Sequence, residues 1–215
     1  LSALSESGPE TTAPTESTAD PALEVEDLTM HLAEVARIST VPHSLIRLGD
    51  GSIGYITRRI DRTPNGEKID MEDMCQLTLH PTEYKYRSSY EQIAKVIAAH
   101  SSTPKLCLVN FMQLILFCYL TGNNDMHLKN FSLYAPKSNY MLTPAYDLLN
   151  VVIVNPKDKE ELALTLNGKK SRLQKRDFVA AAQKMGIDEK AIDKMIISFN
   201  RIMPKWTSWI NSSFL

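Results

Sequence analysis

Asp125 and Asn130 enclose four residues in the run Gly122-Asn-Asn-Asp-Met-His-Leu-Lys-Asn-Phe-Ser-Leu-Tyr134, and another acid, Asp147, follows in Leu142-Thr-Pro-Ala-Tyr-Asp-Leu-Leu149. A carboxylate, a carboxamide and a second carboxylate in this order suit phosphoryl transfer. One carboxylate takes the proton of an attacking hydroxyl and aims its oxygen. The carboxamide oxygen and the other carboxylate hold a hard cation such as Mg²⁺ against phosphate oxygens. The Asp-x-x-x-x-Asn interval is common by chance, so its weight depends on its surroundings. The plainer alternative is that Asp125 and Asn130 only turn the chain and that Asp147 caps a helix.

The neighbouring residues supply the elements that such a site needs. An apolar run over 106–120 leads into Gly122 and reads as a helix closed by a glycine. Phe131-Ser-Leu-Tyr134 alternates like a short strand, and Pro136, Ser138 and Asn139 make a turn. Tyr140-Met-Leu142 is then a second strand, which returns Asp147 to the side of Asp125. Three polar groups gathered by one hairpin favour catalysis over capping.

These two runs resemble the HipA family of bacterial toxin kinases, including its shorter HipT-type members. Other stretches agree in order: residues 33–42, Ile56-Thr-Arg-Arg-Ile-Asp-Arg62, Met71-Glu-Asp-Met-Cys-Gln76 and Lys85-Tyr-Arg-Ser-Ser-Tyr90. The resemblance implies an α+β, bilobal protein-kinase-like fold with a small, incomplete β-containing N-lobe and a mainly helical C-lobe. The divisions it implies are a flexible or incompletely represented segment over 1–22, the N-lobe remainder and hinge over 23–62, and the C-lobe with its catalytic loop over 63–215.

By the same resemblance Asp125 is the catalytic base, and Asn130 and Asp147 are the metal ligands. Nucleotide contacts fall to the hinge residues Arg58, Arg59 and Ile60 and to His127, Lys129, Asn130, Tyr146 and Asp147, with ATP and Mg²⁺ as cofactors. The implied activity is that of a serine/threonine protein kinase serving as the toxin of a type II toxin–antitoxin system in the bacterial cytoplasm. Its substrate would be a protein of translation such as an aminoacyl-tRNA synthetase. An antitoxin protein of the same operon would restrain it, and contact with nucleic acid would come only through that antitoxin.

The chain departs from the family in two places. Arg58 stands where family members often have an acid; separately, Asp147-Leu-Leu stands where many other kinases have Asp-Phe-Gly. A Gly-rich phosphate loop and a strand lysine should precede the helix that starts near residue 24, yet the first lysine is Lys68. Glu26, the implied partner of that lysine, reads equally well as an acid stabilised at a helix N-terminus. Either the chain is a pseudokinase or regulatory binding module, or residues that belong before residue 24 are missing. The abrupt change from Leu-Ser-Ala-Leu to a Ser/Thr/Pro/Glu-rich stretch favours omission. A small-molecule phosphotransferase is a further rival, since that class shares the Asp/Asn/Asp constellation.

Composition bounds the rest. With 215 residues, 43% apolar content and a net charge of −1, the chain can build one or two compact lobes and has no overall basic character for nucleic acid. Cys75, Cys107 and Cys118 form no C-x-x-C pair and sit in apolar contexts, as buried reduced thiols do. The longest apolar run, about fifteen residues with Asn110 and Gln113 inside it, is short for a bilayer span, and no membrane partner is expected. The five histidines show no H-x-x-x-H or Cys/His ligand spacing, which argues against zinc. Gly49-x-Gly51-x-x-Gly54 lies between two strand-like runs and reads as a hairpin turn, since a dinucleotide site needs a helix next.

Further expectations are a helix over 24–36 with Val25, Leu28, Leu32 and Val35 on one face, and Gln76 facing the core. A helix is expected over 90–100, and a strand and turn over 162–168. The basic cluster 169–172 reads as a solvated loop, and Pro204 as a helix break before Trp206, Trp209 and Ile210.

Overall fold

A computed structural model describes residues 21–213, so the segment expected over 1–22 lies outside the described residues up to residue 20. The chain opens with helix α1 (Pro21–Val35), followed by strands β1 (His43–Arg47) and β2 (Ile53–Thr57). Then come β3 (Met71–Asp73), the short α2 (Met74–Leu77), α3 (Tyr90–His100) and α4 (Pro104–Thr121). Strands β4 (Ser132–Tyr134) and β5 (Met141–Leu142), one-turn α5 (Val151–Val154), α6 (Lys175–Lys184) and α7 (Glu189–Ser212) complete it.

Two small sheets flank one apolar core. β1 and β2 pair antiparallel from His43–Thr57 to Arg47–Ile53, with the glycine-rich turn between them. Gly51 sits at φ +86°, and a strand rather than a helix follows, so this stretch is a turn and not a dinucleotide loop. The second sheet has the order β3-β4-β5. It contains the expected hairpin and adds β3 to its edge, so 71–73 joins the sheet that presents the polar loop.

α4 is the spine. Pro104 begins it, where a missing N–H costs nothing, and Gly122 closes it in the left-handed region at φ 68°. A Cβ on Gly122 would meet Val152 Cγ2 at 2.8 Å, so two independent constraints require glycine here. α4 runs to 18 residues, beyond the fifteen expected, and is long and apolar enough by composition to cross a membrane. Half of it is buried inside the fold, where Phe111, Met112, Ile115 and Phe117 are wholly enclosed. Tyr90, Phe111 and Phe131 meet edge to face or tilted, with ring centroids 5.2–6.1 Å apart, directly beneath the polar loop.

Several expectations are corrected. Gln76 is exposed: its side chain returns to Asp73 in a capping box that starts α2, where it does more than it would in an apolar core. Residues 162–168 form no strand; isolated bridges at Thr165 and Leu166 tie them down while Leu162, Leu164 and Leu166 are buried. The two lysines of the basic cluster are paired, Lys169 on Asp177 at 2.8 Å and Lys170 on Glu160 at 3.0 Å, while Arg172 is exposed as expected of a solvated loop.

Pro204 lies inside a continuous α7. The hydrogen bond it removes is offset by packing around Trp206, which is 7% exposed, stacks edge to face on Phe117, and donates from Nε1 to Leu32 O at 2.9 Å. That bond docks the C-terminal helix on α1. All three cysteines are free and buried.

Candidate active site

The polar loop leaves α4 at Gly122 and is fixed to the fold by backbone contacts. Tyr90 OH donates to Met126 O at 3.3 Å, Leu128 N–H to Lys85 O at 3.1 Å, and Asn124 Nδ2 to Glu160 O at 2.8 Å. Asn123 Oδ1 accepts from Asp125 N–H, and Asp125 O accepts from His127 N–H at 2.8 Å. These bonds turn the chain so that the Asp125 carboxylate is left for other work. They hold the loop in one conformation, although Asn123 Nδ2 and Asn124 Oδ1 are buried without a partner among the described residues.

Asn130 Nδ2 donates to Asp147 Oδ2, while Asn130 Oδ1 accepts from His127 N–H at 3.1 Å. The β4–β5 hairpin therefore brings together two residues 17 positions apart. Asp147 is exposed and sits at φ 59°, a left-handed conformation that aspartate tolerates better than most residues. The charges of Asp125 and Asp147 both act on the Tyr86 phenol and on the His127 ring, so the two acids face a common region.

A further acid acts with Asp147. The Glu26 carboxyl is pushed up to about 7, first by burial and then by Asp147 and Asp27. Glu26 makes no ion pair among the described residues. A carboxamide and a carboxylate in contact, with Glu26 as a further acid nearby, supply oxygen donors of the kind a divalent cation such as Mg²⁺ prefers. As placed, the Asn130 amide uses its NH₂ on Asp147, so ligation requires the amide turned to present Oδ1.

His127 is buried, with Nδ1 unpartnered. Burial lowers its proton affinity, with Lys85 adding to the effect, so the ring favours the neutral form. Tyr86 was not foreseen. Its hydroxyl donates to Asp125 Oδ1 at 2.5 Å, and its ring meets His127 edge to face at 4.9 Å. No spacing links residue 86 to 125, although Tyr86 lies within a stretch already singled out by resemblance.

A cleft of about 360 Å³ opens next to these groups. Arg58, Arg59, Ile60, Lys129 and Tyr146 line it, together with Asp73, Gln76 and Ser132. Asp125, His127, Asn130 and Asp147 are not in its wall. The Tyr146 hydroxyl bonds Ser132 at 2.7 Å and donates to Lys129 O at 3.1 Å, and burial raises its pKa to about 12. Arg59 spends its guanidinium on Asp61 in a two-pronged bond, which leaves the hinge backbone and Ile60 facing the cleft.

A bilobal α+β kinase-like architecture carries this loop, hairpin and cleft. The match to a HipA-like C-terminal domain covers residues 11–206, and the chain belongs to that family. The serine/threonine-protein kinase toxin HipA of Shewanella oneidensis is 27% identical over 144 residues, 59% of this chain and 33% of that protein. The structure of HipA from that organism, solved with HipB and operator DNA, superposes with TM-score 0.78 at 21% identity, covering 89% of this chain and 50% of that one. A Helicobacter pylori proinflammatory kinase, CtkA, gives TM-score 0.54 at 15% identity over 90% and 82% of the two chains. Both superpositions speak to the fold. Y4dM of Sinorhizobium fredii, a candidate kinase by name, is 30% identical over 166 residues, 76% of this chain and 39% of that protein. The chain spans between about a third and two-fifths of the length of the curated relatives it matches.

Proposed function

We propose that this chain carries the catalytic loop of a protein serine/threonine kinase that uses ATP and Mg²⁺ and acts as the toxin of a toxin–antitoxin pair. The observation that carries the reading is the contact of Asn130 with Asp147 beside the Asp125 carboxylate, whose one side-chain partner among the described residues is the Tyr86 hydroxyl. Asp125 accepts the proton of a substrate hydroxyl, which must first displace the Tyr86 hydroxyl. Asn130 and Asp147 hold the cation, which would supply charge neutralisation at the phosphates when bound. Lys129, exposed at the cleft, adds positive charge there. The backbone of 58–60 and the Ile60 side chain give the adenine an edge to bond and a face to cover, and Tyr146 walls the cleft. His127, buried and favouring the neutral form, orients groups near the phosphates. Positioning and charge supply most of the rate in such a site.

The substrate class and partners rest on the likeness to HipA. A component of translation such as an aminoacyl-tRNA synthetase is the proposed target, an antitoxin protein the proposed partner, and the bacterial cytoplasm the setting. DNA would be reached only through the antitoxin. Radiolabel transfer from ATP, dependent on Mg²⁺ and lost in Asp125→Ala, is the direct test, with growth arrest on expression as its cellular counterpart. A second reading is favoured by Glu26, half-buried and without an ion pair among the described residues: a regulatory module that binds nucleotide without turning it over. Metal-independent nucleotide binding with no transfer to any protein would establish that reading and remove the first.

A further inference from the structure

A second group of chemistry-bearing side chains lies away from the catalytic loop. Asp27 and His31 stand one turn apart on α1, and His43 opens β1 beside them. The Asp27 carboxylate and one nitrogen of each imidazole lie within 4.8 Å of one another. Asp27 Oδ2 is 3.4 Å from His31 Nδ1, and Asp27 Oδ1 is 3.4 Å from His43 Nδ1. Good N–H···O bonds close to about 2.7–3.2 Å, so these pairs are loose as hydrogen bonds. They agree with the ~3.3 Å that separates ligand atoms around a tetrahedral ion with bonds of about 2.0–2.1 Å.

His43 supplies an independent observation. Its side chain is 2% exposed, yet Nε2 has no hydrogen-bond partner and faces Glu34 Oε1 at 3.5 Å. A buried imidazole held loosely between two carboxylates lacks the close partners that burial demands. A cation on the Asp27 side supplies one. Nδ1 then ligates through its lone pair, the proton stays on Nε2, and Glu34 accepts it as the carboxylate behind a metal-bound histidine commonly does. His31 gives up the contact of its Nδ1 with Asp27 O, now 2.8 Å, and keeps its proton on Nε2. Access is open: Asp27 and His31 line a cleft of about 240 Å³ with Leu45 and Trp209.

We propose that Asp27, His31 and His43 bind a divalent transition-metal ion of the zinc type, with Glu34 positioning His43. Two imidazoles and one carboxylate select such an ion over Mg²⁺, which prefers oxygen donors. Three protein ligands leave a fourth position for water. The ion ties α1, which carries Glu26, to the β1–β2 hairpin. Spacing missed the site because its ligands come from two elements.

The test uses the whole purified chain, stripped with chelator and titrated with Zn²⁺ and, for its visible spectrum, Co²⁺. One equivalent is taken up, the Co²⁺ complex shows the intense bands of a tetrahedral site, and His31→Ala and His43→Ala each weaken uptake by about tenfold or more. Trp209, stacked on His31 with centroids 5.5 Å apart, reports binding as a change in fluorescence that His31→Ala removes. No stoichiometric uptake, or uptake unchanged in both variants, overturns the proposal and leaves a plain ion-pair network. Should His43→Ala fail to fold, His31→Ala decides, since that side chain is 32% exposed.

Discussion

The polar loop after α4 and the α1–β1 cluster both bring carboxylates to a point, but they differ in donors and in how the chain holds them. In the loop the donors are oxygens, presented by a hairpin only a few residues long and fastened by Tyr90, Asn124 and the backbone of Leu128. In the cluster two imidazoles join the carboxylate, and the pieces come from a helix and a strand, Asp27 and His43 being 16 positions apart. α1 is in turn held by α7 through Trp206. Donor chemistry separates the two by the cation each suits. Fastening separates them by what a distant mutation does: the loop is tied to Lys85, Tyr90 and Glu160, whereas the cluster depends on the docking of the C-terminal helix.

The largest effect should come from Asp125→Ala, which lowers phosphoryl transfer by about 10²–10⁴-fold and leaves zinc uptake at α1 unchanged. Transfer that survives in the variant breaks the comparison at its catalytic end. Trp206→Ala should cost about 3–5 kcal/mol in urea unfolding, whereas Trp209→Ala, at a side chain 45% exposed, stays within about 1 kcal/mol. Hydrogen exchange in the Trp206 variant should rise in α1 before it rises in the loop; equal rises would remove the claimed difference in fastening. Gly122→Ala, forced to φ 68° and against Val152, should cost roughly 1–2 kcal/mol and lower the Tm by several degrees, the local strain falling on the loop's entry.

The smallest effect is confined to acid. A hydrogen bond from Lys169, helped by those from Gln174 and Asn167, holds the Asp177 carboxyl down at about 2 against an ordinary 3.8. A depressed folded-state pKa gives stability that is complete above about pH 4 and is lost as pH falls through 2. Asp177→Asn should therefore flatten the loss of stability between pH 4 and pH 2. A curve that keeps the wild-type slope would show that Lys169 contributes nothing measurable there.

The sequence was informative where function and local structure coincide. Asp125, Asn130 and Asp147 lie within one helix–loop–hairpin passage, so glycine, turn residues and short alternation were enough to bring the last two together. Helix 90–100 was legible to the residue because Ser89 caps it and its inward side chains recur at helical spacing. Pro204 was misread because the local rule weighs the lost hydrogen bond and cannot see Trp206 packed against Phe117. Gln76 was misread because nothing in the sequence showed that Asp73 would stand where its amide could close a cap.

What the sequence by itself determined, then, was the family, the helical spine ending at Gly122, and the order of the polar groups on the hairpin. The family rests on the resemblance of whole motifs, while the spine and the order on the hairpin depend on periodicity and turn chemistry acting over a few residues. Tertiary structure alone decided that the Tyr86 hydroxyl rests on Asp125 from 39 positions away, that α7 seals α1, and that His43 meets Asp27 and His31. Each of those contacts joins segments whose separation along the chain carries no periodic signal. Their meeting is fixed only when the apolar faces of the helices and strands close on a common core.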